Sequence, residues 1–185
     1  MGLPEKIIAV HEHLAGAGLP HAFGGALALA WCTGRARGTI DIDVNVFVDV
    51  DQAAAVLAAL PHDVQRPARL LATLRRDGQA RLWWEQTPLD VFLDSTDFHR
   101  AVADRVRWET FLGRQIPFLS CHDLAVFKTF FNRTKDWADL EEMVAARTIE
   151  PPAVAAVLIE MLSVDDERVT RLARLAPPDR GNRRC

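Results

Sequence analysis

Strand-like and helix-like segments intermingle up to Leu119, and helix-like segments alone follow, which predicts an α+β core with an all-helical C-terminal lobe. Three observations carry this expectation. Residues 40–48 form a β-branched run, Asp77-Gly78 is a two-residue hairpin signal, and from Ser120 onward apolar residues recur at helical spacing. The expected division is a core over 1–119, a helical lobe over 120–177 and a flexible tail over 178–185.

The elements follow in order. Residues 4–17 place Ile7, Ile8, His11 and Leu14 on one helical face, and Gly16, Gly18 and Pro20 end that helix. A short strand at 21–23 leads into the Gly24-Gly25 turn and a helix over 25–33. A loop at 34–38 precedes the strand at 40–48. Residues 51–60 form an alanine-rich helix closed by Pro61, and 67–76 form another. Strands are expected at 80–85 and 89–93, a helix at 96–104 with Thr96 as N-cap, and strands at 106–111 and 116–119 around Gly113. Helices at 121–132, 134–147, 151–163 and 165–175 complete the chain, and Pro177-Pro178 ends the order.

The chain is 49% hydrophobic and 25% charged, so it can bury a core. No apolar run approaches the roughly 20 residues that span a bilayer, and the N-terminus lacks the order of a secretory signal. Cys32, Cys121 and Cys185 are odd in number and lack CxxC spacing, which argues for a reducing cytoplasm and against a zinc knuckle. The net charge of -3 disfavours global attraction to nucleic acid. Locally, Arg66, Arg69, Arg75, Arg76 and Arg81 share a stretch holding one acid, Asp77, and the tail carries Arg180, Arg183 and Arg184. Such runs are ordinarily solvated faces. Lys6, Lys128 and Lys135 are the only lysines.

The chemistry concentrates between Gly24 and Asp43. A glycine turn at a helix N-terminus offers backbone N–H groups to phosphate. Asp41 and Asp43 stand one residue apart and project from one side of a strand. Two such carboxylates repel unless a cation sits between them, and Mg²⁺ (or Mn²⁺) is the usual cation beside substrate phosphates. Asp90 interrupts the apolar strand Leu89-Asp90-Val91-Phe92-Leu93 and is the best third ligand, whereas Asp94 reads as a solvated turn acid. Thr39 alternates onto the face of Asp41, and Arg35 and Arg37 flank the preceding loop. Haloacid-dehalogenase-type phosphatases also use DxD, but Val44-Asn45-Val46 after Asp43 does not follow their pattern. The histidines lack metal spacing with the cysteines. Trp83-Trp84 places one ring in the core and one outside, where it can stack a base or meet a partner.

Gly24-Gly25-Ala26 followed by Arg37-Gly38-Thr39-Ile40-Asp41-Ile42-Asp43 resembles the opening motif of minimal nucleotidyltransferases of the AbiEii and MenT toxin type, whose fold is that of the polymerase β-like nucleotidyltransferases. Residues 120–128, ending in Lys128, resemble their later lysine-bearing helix, and Arg133-Thr134-Lys135-Asp136-Trp137-Ala138-Asp139 the basic-Asp-x-x-Asp segment after it. The resemblance spans roughly residues 20 to 145. It implies that Asp41, Asp43 and Asp90 hold Mg²⁺, that Lys128 grips the triphosphate, and that Asp136 supports the site. It also implies nucleotide contacts from Gly24, Gly25, Ala26, Arg37 and Thr39. Many relatives have serine where Ala26 stands, so a hydroxyl contact is missing and the backbone N–H remains.

The implied activity is transfer of a nucleoside monophosphate, from CTP or UTP, to the 3′ acceptor end of tRNA, which blocks aminoacylation. The stretch from Arg66 to Arg81 would then be the RNA footprint. The resemblance further implies a cognate antitoxin, in some systems a kinase, for which the Thr39 hydroxyl is the natural target. Two alternatives keep the fold: transfer to a small molecule, as in antibiotic adenylyltransferases, or to a protein hydroxyl, and a non-catalytic binding module.

Overall fold

Strand β2 (Ile42–Asp49) is the centre of the structure, a computed structural model that describes residues 1–36 and 38–175. It runs parallel to β5 (Thr87–Asp94) on one side and antiparallel to β1 (His21–Phe23) on the other. With β3 (Val64–Gln65), β4 (Gln79–Trp84), β6 (Arg107–Phe111) and β7 (Arg114–Phe118), seven strands among the described residues make one mixed sheet in the order β3-β4-β5-β2-β1-β7-β6. Helix α1 (Leu3–Gly16) precedes it. Helix α2 (Gly25–Thr33), α3 (Ala53–Ala59), α4 (Arg69–Asp77) and α5 (Asp97–Val102) connect its strands.

The chain divides into two compact units. Among the described residues, the first holds 1–28 and 38–120 and contains the whole sheet; the second takes 29–36 and 121–175. Residues 29–36, expected in the core, thus belong with the helices. This second unit contains α6 (Cys121–Phe131), α7 (Thr134–Ala145), α8 (Pro151–Met161) and α9 (Glu167–Ala173). The expected α+β architecture with C-terminal helices is what the structure has.

The strands form where alternation dictates. In β4, Ala80, Leu82 and Trp84 are buried and Gln79, Arg81 and Trp83 are exposed. A buried leucine such as Leu82 contributes about 1.5–3 kcal/mol relative to exposure. The same pleat therefore builds one apolar face and one polar face.

Several expectations are corrected. Asp77-Gly78 is a helix end rather than a hairpin: Gly78 has φ +66° and its N–H donates to the Leu74 carbonyl at 3.0 Å, capping α4. The hairpin lies at Glu85-Gln86, where Trp84 pairs with Thr87 and Glu85 takes the left-handed conformation. Strand β2 starts at Ile42 and not at residue 40, because the Thr39 hydroxyl accepts the Asp41 N–H at 3.2 Å and closes a turn. The short strand β3 was not foreseen. Asp94 is buried and its carboxylate takes the Arg100 guanidinium at 2.9 Å, so it is no solvated turn acid. Cys32 and Cys121, read as reduced thiols, form a disulfide with Cα atoms 5.5 Å apart. The cysteine argument for a reducing compartment therefore loses its basis. Cys185, the tail arginines, Pro177-Pro178 and the tail over 178–185 lie outside the described residues, as does Arg37. No helix among the described residues is long and apolar enough to cross a membrane.

Lys6 fastens α1 to the β4–β5 hairpin. Its ammonium, almost fully buried, donates to the Trp84 carbonyl at 3.0 Å, the Thr87 hydroxyl at 3.0 Å and the Glu85 carboxylate at 2.8 Å. Three donors meet three acceptors, so burial leaves nothing unsatisfied. His21 shows the opposite solution. Its Nδ1 bonds the Leu19 carbonyl at 2.8 Å and its Nε2 lies 2.9 Å from His11 Nδ1, while burial pushes its pKa down to about 4.

Replacing Lys6 by Met keeps the stem but strips the Trp84 carbonyl and Thr87 hydroxyl of their donor; urea unfolding should show a loss of about 1–3 kcal/mol. For His21, the folded state resists protonation more than the unfolded chain with its ordinary value of 6.5. Its contribution is therefore full above pH 6.5 and declines as pH falls toward 4. Urea midpoints measured across that window should decline less steeply in His21→Gln than in the wild type.

Candidate active site

Asp43 and Asp90 are direct partners in the parallel β2–β5 register, and Arg81 is the direct partner of Asp90 in the antiparallel β4–β5 register. Three charged side chains thus stand in one row on one face of the sheet, with neighbouring strands about 4.8 Å apart. Asp41, in the turn just before β2, completes the group. The structure therefore brings Asp41, Asp43 and Asp90 together.

Arg81 holds them. Its Nε donates to Asp90 Oδ1 at 2.8 Å and its Nη2 to Asp90 Oδ2 at 2.6 Å, a two-pronged pair, and Nη2 lies 3.7 Å from Asp41 Oδ2. The hydrogen bond to Asp90 keeps the guanidinium protonated well above its ordinary range, and the charges of Asp90, Asp41 and Asp43 add to that. The side chain of Asp90 is 16% exposed and that of Arg81 50%, so the pair opens to solvent on the arginine side. Arg81, expected in an RNA footprint, belongs instead to the acid cluster.

The Gly24-Gly25 turn positions Asp43 from the other side. The Gly24 N–H donates to the Asp43 carbonyl at 2.9 Å, extending the β1–β2 pairing by one bond. Gly25 opens α2 with φ +54°, and a Cβ there would lie 1.9 Å from Asp43 Oδ2. The carboxylate therefore rests against the first residue of a helix whose own first turn carries no acid. The positive end of the helix favours an anion at that place. Ala26 follows in the same turn, with its backbone N–H as the polar group it offers.

Other expected residues are placed differently. Thr39 lies in the turn before Asp41, not on the strand face. Arg66 is engaged by backbone, because Nε donates to the Leu57 carbonyl at 2.7 Å and Nη2 to the carbonyls of Leu60 and Pro61, closing the end of α3. Arg76 forms a two-pronged pair with Asp77, and Arg69 and Arg75 are exposed on α4. The stretch is not a continuous basic face.

In the helical unit, Lys128 is buried, with its ammonium 2.6 Å from Asp139 Oδ2 and 3.6 Å from Asp136 Oδ1. Asp136 is fully buried and accepts from the Arg133 backbone at 3.3 Å and from its Nε at 2.6 Å, which caps α7. Lys128, expected to grip triphosphate, is thus committed to two carboxylates, and Asp136, expected to support the site, caps a helix. Both tie α6 to α7.

The donor set suits a hard divalent cation: carboxylate oxygens on one face with an open side, the arrangement Mg²⁺ takes when substrate supplies further oxygens. As they stand the acids converge on a guanidinium, and among the described residues no three His, Cys, Asp or Glu side chains form a metal cage by themselves. Trp83, two residues beyond Arg81 on the same face, is 43% exposed, while Trp84 is buried.

No protein-family model matches the sequence, and comparison with curated proteins returns no significant match. Solved structures do match. The chain is similar to ANT(2″)-Ia in complex with adenylyl-2″-tobramycin, with a TM-score of 0.55 and 13% identity over 92% of this chain and 96% of that one. It is similar to the lincomycin-bound lincosamide antibiotic adenylyltransferase LnuA, with a TM-score of 0.53 and 15% identity over 77% and 96%. It is also similar to an antigenic nucleotidyltransferase-like protein from Paracoccidioides brasiliensis, with a TM-score of 0.52 and 14% identity over 95% and 93%. At these identities the likeness establishes a nucleotidyltransferase-like fold.

Gly25→Ala should place a methyl group against Asp43 and strain a left-handed residue. Gly113 also has positive φ, +77°, but a Cβ there meets nothing within 4 Å. Thermal unfolding should therefore show Gly113→Ala losing about 1–2 kcal/mol from backbone strain. Gly25→Ala should lose more.

Proposed function

We propose that the chain is a metal-dependent nucleotidyltransferase, moving a nucleoside monophosphate from an NTP to an acceptor hydroxyl with release of pyrophosphate. One observation carries this reading: the Asp43–Asp90 pair on adjacent strands, with Asp41 beside it and the α2 N-terminus against Asp43. The nucleotidyltransferase-like fold supports it.

Asp41, Asp43 and Asp90 would hold divalent metal, which supplies positive charge to the triphosphate and acidity to the acceptor hydroxyl. Asp90 accepts the proton of that hydroxyl. The acceptor oxygen bonds to the α-phosphorus, the bond from the α-phosphorus to the bridging oxygen breaks, and pyrophosphate leaves. The backbone N–H groups of Gly25 and Ala26 face the phosphates. Arg37 and the Thr39 hydroxyl belong to the same proposed nucleotide contacts. The fully formed Lys128–Asp136–Asp139 cluster supports a structural part for these three.

Two acceptors are in play. The order of motifs shared with AbiEii and MenT toxins supports the 3′ end of tRNA with CTP or UTP as donor. On that reading a cognate antitoxin acts nearby, and a kinase antitoxin would modify Thr39, adding about −1.5 to −2 charge next to Asp41. The likeness to ANT(2″)-Ia and LnuA supports a small-molecule hydroxyl instead, and the loss of Arg66 and Arg81 from the basic stretch favours it equally. Trp83 offers a flat surface beside the acids to a base or a sugar ring.

Incubation with each α-labelled NTP and separate pools of tRNA, aminoglycoside or lincosamide, and protein should label one pool. Asp43→Asn should lower that labelling by at least about a hundredfold. Labelling of no pool by the folded wild type with Mg²⁺ or Mn²⁺ would sink the activity.

A further inference from the structure

Arg81 occupies an unusual position for a proposed metal site: a cation that already sits on Asp90 and beside Asp41 is a side chain of the protein itself. Its guanidinium takes both oxygens of Asp90 and reaches toward Asp41, and the register Arg81–Asp90–Asp43 enforces that place through the backbone. The contact is strong but open, since the Arg81 side chain is half exposed on its strand.

We propose that Arg81 is an exchangeable internal cation that couples metal entry to nucleotide entry, an inference that rests on the nucleotidyl-transfer reading of the same site. A divalent ion and Arg81 compete for the same oxygens of Asp90. For the ion to gain Asp90, the guanidinium must let go, and a rigid two-pronged donor then needs another anion with paired oxygens. A triphosphate is such an anion, and it is what the reaction brings to this place. Metal alone displaces Arg81 against the ion pair. Metal with triphosphate displaces it and offers it a new partner. Arg81 is therefore a positioning residue: it keeps the carboxylates gathered before substrate arrives and disfavours metal held without nucleotide.

The test is Mn²⁺ binding to the whole chain, read by electron paramagnetic resonance, without and with a non-hydrolysable α,β-methylene NTP. Wild type should bind Mn²⁺ alone weakly and gain about tenfold or more from the nucleotide. Arg81→Gln should bind Mn²⁺ alone about tenfold more tightly than wild type and gain little from the nucleotide. Arg81→Lys, a cation without the fork, should fall between. Equal or weaker Mn²⁺ binding by Arg81→Gln, with wild type still binding, overturns the exchange and leaves the transferase reading standing. If wild type binds no Mn²⁺ even with nucleotide, or binds it as well as Asp90→Asn and Asp43→Asn do, the transferase reading fails and the exchange with it. Should Arg81→Gln not fold, the wild-type Arg81 Nε–H resonance decides. It should shift on saturation with Mg²⁺ and the NTP analogue and remain with Mg²⁺ alone, and an unmoved resonance overturns the proposal.

Discussion

Two parallel strands hold Asp43 and Asp90 side by side, and like charges at that spacing repel unless a cation stands with them. The β2–β5 register leaves neither carboxylate a way to turn aside, because a shift by one residue would move each to the apolar face. The neighbouring strand answers with Arg81, and the glycine turn answers with the positive end of α2. The polar face of the sheet is thus organised around one electrostatic requirement, and the apolar face around burial.

The two buried lysines show how this protein tolerates charge inside. Lys6 reaches a carbonyl, a hydroxyl and a carboxylate; Lys128 lies between Asp139 and Asp136. Lys6 joins segments about eighty residues apart and Lys128 joins two successive helices, and each replaces water with protein partners of its charge. Lys135, by contrast, is exposed. The arginines divide in the same way. Arg66 closes a helix end with carbonyls and Arg81 gathers acids, while Arg69 and Arg75 face solvent. Clustering in sequence therefore says little about clustering in space.

The fold constrains the chemistry more tightly than it constrains the acceptor. A carboxylate cluster beside a helix N-terminus is suited to phosphoryl chemistry whatever the acceptor in the proposed transfer. On the proposed reading, the acceptor would depend on the surface around Trp83 and on loops whose shapes are free to vary on a common scaffold.

The local signals were legible in the chain. A β-branched run marked β2, an apolar run marked β5, helical spacing marked α6 to α9, and an acid inside that apolar strand singled out Asp90. The glycine pair marked the opening of α2, although its close contact with Asp43 needed coordinates. What sequence could not place was pairing. Asp77-Gly78 has the composition of a hairpin, yet the preceding helix uses Gly78 as its cap, and the true turn at Glu85-Gln86 carries no glycine. Centring the hairpin there puts Arg81 opposite Asp90 by counting alone; without it, Arg81 reads as one more surface arginine. The partners of Arg66, Lys128 and Cys32 were hidden for the same reason, since composition and period describe a residue's own segment. Which distant segment completes its hydrogen bonds is decided only when the chain closes on itself.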